Sequence, residues 1–238
     1  MNANHPVEIE FAVDKDVQLK GLLHTPPDPH GVILFAHGSG SSRFSSRNNE
    51  IARLLAAHGF AAVLVDLLTA SEDQIDAITR ELRFNIPLLA DRVVATIDWL
   101  RRDPTLAALP IGLFGSSTGA AAALCAATER PGKVSAIVSR GGRPDLAFDS
   151  LKLVRAPTLL IVGSEDPQVL ELNRYAAACM WAPIKVTVVE GASHLFEETG
   201  TLAQAALHAL GWFEKYLTVP PSLPSIREDA ARTFEAPR

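Results

Sequence analysis

Ser117 lies at the centre of Gly115-Ser116-Ser117-Thr118-Gly119, with the apolar run Ile111 to Phe114 before it and an alanine-rich run after it. Strand, sharp turn and helix form the setting that holds a serine hydroxyl out from a sheet as a nucleophile. The two glycines leave no side chain where strand and helix pass closely. The helix start points free N–H groups at an oxyanion formed there. A nucleophilic serine needs a general base, and the base needs an orienting acid. Asp166 stands just past the apolar stretch Thr158 to Val162, and His194 stands in the loop after Ile184 to Val189. Singly, an Asp after a strand is ordinarily a turn former or helix cap. In the order Ser, Asp, His, at successive strand ends, the three read as nucleophile, orienter and base. Glu165 is the rival acid, ranked second because adjacent side chains point apart.

The segment His37-Gly38-Ser39-Gly40-Ser41-Ser42 follows another apolar run, Gly31 to Ala36. Its glycines let backbone approach a substrate oxygen, so the amides of Ser39 and Thr118 are the expected oxyanion donors. Such a donor is typically worth about 2.7–4 kcal/mol in the transition state. A Gly/Ser-rich loop can also cradle phosphate, but the Walker lysine pattern is missing here. His37 reads as a loop-shaping residue, since His194 fills the base role. Arg43 and Arg47 follow this loop, Arg140 ends the run from Val134, and Arg143 comes close behind. Each alone reads as a surface charge or a partner for Glu50, Asp145 or Asp149. Together they suggest guanidinium groups that hold a substrate carboxylate or phosphate. The substrate-binding expectation therefore falls on Arg43, Arg47 and Arg140, with Arg47 and Arg140 best placed.

The elements that must position these residues are legible in outline. Val7, Ile9, Phe11 and Val13 alternate, Asp14-Lys15-Asp16 turns, and Val17 and Leu19 alternate again, which predicts an antiparallel hairpin. Gly31 to Ala36 and Phe60 to Val65 are continuous apolar runs, as in strands covered on both faces. Ile51, Leu54, Leu55 and His58 follow helical spacing, closed by Gly59. Ile86, Leu89, Val93, Ile97 and Leu100 do the same, as do Leu202, Ala206, Leu210, Phe213 and Leu217. Strands alternating with helices predict an α/β fold with a mostly parallel sheet wrapped on both faces. The expected domain is 1–218; residues 219–238, with three prolines soon after the last helix, read as a mobile tail.

A chain of 238 residues, 47% apolar and 21% charged, suits one globular α/β domain. A net charge of −5 gives no reason to expect nucleic acid or a membrane surface as partner. Met1 to Pro6 shows no basic stretch leading into an apolar core, and two cysteines are too few for a disulfide framework. The expectation is a cytoplasmic protein with a small-molecule substrate, no cofactor and no metal.

His37 to Asn48, Asp66 to Leu100, Gly115 to Ala122, Ser139 to Leu146 and Gly191 to Glu198 resemble the dienelactone-hydrolase-like α/β-hydrolases, some of which are fused to phosphoribosyltransferase domains. That resemblance spans most of residues 30–217. It implies an α/β-hydrolase fold with an eight-stranded sheet and a triad of Ser117, Asp166 and His194. One departure matters: true dienelactone hydrolases carry Cys as nucleophile, so their substrate is not carried over. About 18 residues between Ser139 and Pro157 are too few for a helical cap. The function expected is a serine hydrolase of small soluble esters, less readily thioesters or amides. The same triad also serves acyl transfer, and a slow-turnover binding protein of this fold is a third reading.

Overall fold

A computed structural model describes residues 6–217 of the chain. The tail expected at 219–238 lies outside the described residues. The sheet contains β1 (Val7–Ala12), β2 (Gln18–His24), β3 (Gly31–Ala36), β4 (Phe60–Val65), β5 (Ile111–Ser116), β6 (Val134–Arg140), β7 (Thr158–Gly163) and β8 (Ile184–Val189). Their spatial order is β1-β2-β4-β3-β5-β6-β7-β8. β1 and β2 form the antiparallel hairpin, β2 runs antiparallel to β4, and every later pairing is parallel.

The helices are α1 (Ser46–Ala57), α2 (Ala70–Thr79), α3 (Ile86–Leu100), α4 (Thr118–Glu129), α5 (Pro167–Cys179) and α6 (Thr201–Tyr216). Two cores follow from the period-2 alternation of the strands. Val32, Leu34, Leu113 and Ile137 face α3 and α4, while Ile33, Phe35, Phe114 and Val138 face α1 and α6. β3, β4, β5 and β7 are buried at every position, as their uniform apolar runs require. Gly112 permits one close contact: a Cβ there would stand 2.6 Å from the Phe213 ring of α6.

The sequence does not predict α2, and it only leaves room for α5. Between β6 and β7 runs a 3₁₀ segment, Pro144–Leu153, packed on α4 and α5, and no cap domain intervenes. Among the described residues, no helix is long and apolar enough to cross a membrane.

Candidate active site

In a parallel sheet the C-terminal strand ends converge, and the loops leaving them carry the side chains of interest. Ser117 follows β5 and opens α4 with φ 50° and ψ −124°. Positive φ in a residue with a Cβ costs on the order of 1–3 kcal/mol and persists only where the surroundings impose it. Here they do. The Ser117 carbonyl accepts from the amides of Ala120, at 3.1 Å, and Arg143, at 3.0 Å. Gly115 lies against the backbone of Ala120, and Gly119 lies against the Ala36 and His37 carbonyls, so a Cβ at either position collides with main chain. Although Ser117 sits at the N-cap, its hydroxyl makes no capping bond and is left for other work.

Asp166 holds the N-cap position of α5 and likewise makes no cap. Its carboxylate goes instead to His194, with Oδ2 2.6 Å from Nδ1. The carboxylate is largely buried and the imidazole partly exposed. Glu165, the rival acid, turns the other way and accepts from the Ser164 hydroxyl at 3.2 Å. Beneath the imidazole lies Gly141, where a Cβ would stand 3.7 Å from both Cε1 and Nδ1. The turn carrying His194 is closed by Glu198, whose Oε2 accepts from the Ser193 amide at 3.0 Å. Hydrogen bonds from Ser193 hold the Glu198 carboxyl below its ordinary range.

The loop after β3 supplies the facing wall. Gly38 lies against Ser117, and the Ser39 hydroxyl is 3.1 Å from that of Thr118. The two expected donor segments are thus tied to each other. His37 does not face the cavity shared by Ser117 and His194; it braces the loop. Its Nδ1 pairs with the Gly38 carbonyl at 2.9 Å, and its Nε2 accepts from the Leu67 amide at 3.0 Å. These bonds require the neutral ring with its proton on Nδ1. Burial pushes the His37 pKa down, which favours that form.

A cavity of about 210 Å³ is lined by Ser117, His194, Ser39, Arg47 and Arg140 among others. The arginines divide. Arg140 and Arg47 line it, and Arg47 pairs with Glu197 at 2.8 Å. Arg43, expected beside them, does not line it. Its guanidinium and its backbone amide both bind Asp66, so this side chain pins the loop. It lines a separate hollow of about 290 Å³. Arg143 is held bidentately by Asp145, with both contacts at 2.8 Å.

Sequence reasoning missed Asn48, Asp76 and Arg83. Asn48 is buried and its Oδ1 accepts from Arg140. The signal was available, because 48, 51, 52 and 55 form the buried stripe of α1. Buried Asp76 holds the Arg83 guanidinium at 2.6 Å, and the Arg83 carbonyl accepts from the Ser39 hydroxyl at 3.4 Å. Burial raises the Cys125 thiol pKa, which leaves it a poor nucleophile. Among the described residues, no group of three or more His, Cys, Asp or Glu could hold a metal ion.

This sheet, with a serine elbow and an Asp–His pair at its strand ends, defines an α/β-hydrolase. The sequence pattern of the dienelactone hydrolase family matches residues 19–216, and the chain belongs to that family. The crystal structure of a dienelactone hydrolase from Anabaena variabilis is 50% identical, with a TM-score of 0.86 over 90% of this chain and 99% of that one. Est1E from Butyrivibrio proteoclasticus, 14% identical with a TM-score of 0.72, covers 89% of this chain and 98% of its own, and shares the fold. Curated relatives from two strains of Mycobacterium tuberculosis bear the name "Putative phosphoribosyl transferase" and are 52% identical over 204 residues. Those residues are 86% of this chain and 45% of each relative, so the chain spans about half the length of the relatives it matches.

Proposed function

We propose that this member of the hydrolase family cleaves carboxylic esters of small substrates through Ser117, His194 and Asp166. The observation that carries the reading is the 2.6 Å contact between Asp166 and His194, beside a serine held at positive φ in the same cavity. Ser117 attacks the carbonyl carbon while His194 Nε2 takes its proton. Asp166 keeps the other ring proton on Nδ1 and stabilises the imidazolium. The amides of Ser39 and Thr118 receive the oxyanion. Collapse of the tetrahedral intermediate expels the alcohol, which receives the proton from His194. Water, activated by the same imidazole, then releases the acid.

The fold serves acyl transfer as readily as hydrolysis, and the acceptor decides between them. The test is labelling with a fluorophosphonate, followed by turnover on a panel of short esters. One adduct on Ser117 and many turnovers are expected. Ser117→Ala should lose both, with about 10⁴–10⁶ of kcat. An adduct on Ser116 or Ser39 would reject the assignment, and a single acylation without turnover would favour the binding-protein reading.

A further inference from the structure

Arg140 ends β6 on the α1 side of the sheet and is 8% exposed. Its Nη2 donates to two neutral acceptors, Asn48 Oδ1 and Ser116 Oγ, each at 3.3 Å. Its Nη1 is buried with no acceptor among the described residues. The Phe196 ring, 5.8 Å from the guanidinium carbon, offers only a weak attraction. A buried cation is ordinarily set against a carboxylate. The charged neighbour of Arg140 is instead a second cation, Arg47, and burial together with Arg47 pulls the guanidinium down to about 10. It stays charged at neutral pH, so two positive groups face one cavity.

The N-terminus of α1 opens at the same wall. The Ser45 hydroxyl accepts from the Asn48 amide at 3.4 Å, and the Ser45 carbonyl accepts from the Asn49 amide at 2.9 Å. Helix geometry leaves the Ser46 and Arg47 amides without an intrahelical acceptor. Arg47's partner, Glu197, is well exposed, and exposed pairs are weak enough to be given up for a better anion.

We propose that this wall is a subsite for a phosphate group carried by the substrate, held between Arg140 and Arg47 while the ester carbonyl lies at Ser117. The proposal rests on the Ser117 cavity being the substrate site. Phosphate suits it better than carboxylate because the donors come from several directions. The two guanidinium groups, the Ser41 and Ser45 hydroxyls and the opening of α1 surround one space. A carboxylate has two oxygens in one plane. A phosphate monoester has three terminal oxygens in a tetrahedron and a charge between one and two. It can engage both arginines at once. No bond to phosphorus is made or broken; the group is a handle.

The test is calorimetric binding of phenyl phosphate and of benzoate to the full chain carrying Ser117→Ala, which needs no turnover. Phenyl phosphate should bind at least about tenfold tighter than benzoate. Adding Arg140→Gln should weaken phenyl phosphate about tenfold or more, and Arg47→Ala should weaken it severalfold. Thermal midpoints report whether each variant folds. If Arg140→Gln does not fold, Arg47→Ala carries the comparison. Benzoate binding as tightly as phenyl phosphate would overturn the proposal. So would phenyl phosphate binding that is indifferent to Arg47 and to a folded Arg140 variant. If the wild-type chain is not labelled at Ser117 while phenyl phosphate still binds, only the hydrolase reading fails. Labelling without phosphate binding defeats only the subsite.

Discussion

Gly38 and Ser117 touch so closely that a Cβ on Gly38 would stand 2.8 Å from the Ser117 Cβ and 3.0 Å from the Ser116 carbonyl oxygen. The loop after β3 and the elbow therefore fix each other's position. The absent methyl at residue 38 lets the loop after β3 pack directly against the elbow.

Gly38→Ala should accordingly lose about 10²–10³ in kcat, the typical cost of misplacing an oxyanion donor. Gly191→Ala is the contrast, at positive φ but in open space, and should change stability alone. Ester turnover and thermal midpoints on both variants make the comparison. Full activity in a folded Gly38→Ala variant would remove Ser39 from the oxyanion assignment.

The acid can be separated from its neighbour. Asp166→Asn should keep the fold yet cost on the order of 10⁴ in kcat, because the imidazole loses its tautomer. Glu165→Gln should leave the rate nearly unchanged, since that carboxylate faces the Ser164 hydroxyl. Steady-state kinetics on the two variants is sufficient. A larger loss at 165 would move the acid role there.

Arg43 should behave as a brace. Arg43→Ala removes a partly buried contact to Asp66 and should cost about 1–3 kcal/mol of stability. The preference between anionic and neutral esters should not move. Denaturant unfolding and a paired-substrate assay read the two effects separately; an altered preference would return Arg43 to the substrate site.

Much of this was visible in the residues alone. The strands announced themselves because burial on both faces demands unbroken apolar runs, as in Phe60–Val65. The elbow was legible because Gly115 and Gly119 occur only where main chain meets main chain. α2 stayed hidden because its one buried residue is Asp76, and α5 buries Val169, Asn173 and Ala176, so apolar periodicity is faint in both. The tie of Arg43 to Asp66 was not legible, because Asp66 is 23 residues away and arrives beside it through the parallel pairing of β3 with β4. That no acid among the described residues pairs with Arg140 is a fact about its neighbours, which no local pattern records.

His37 should leave a mark on stability against pH. Its pKa in the folded chain is below the ordinary 6.5, with burial as the main cause. Below that ordinary value the unfolded chain binds a proton that the folded chain resists. The contribution is therefore complete above about pH 6.5 and is lost as pH falls toward the folded value. Its slope is at most about 1.4 kcal/mol per pH unit. Unfolding free energies between pH 7 and 5 should decline less steeply in His37→Gln. Some decline should remain, because His24 is depressed in the same direction, chiefly by burial. An unchanged slope would mean that His37 accepts its proton freely in the native protein.

Asp166 and His194 hang from β7 and β8 at one rim of the sheet, whereas Ser117 leaves β5 near its middle. Outer strands open at lower free energy than inner ones. Mild denaturant should therefore part the imidazole from the hydroxyl before the bulk secondary structure melts. Catalysis would fade ahead of the circular dichroism signal, and on refolding it would be the last property to return.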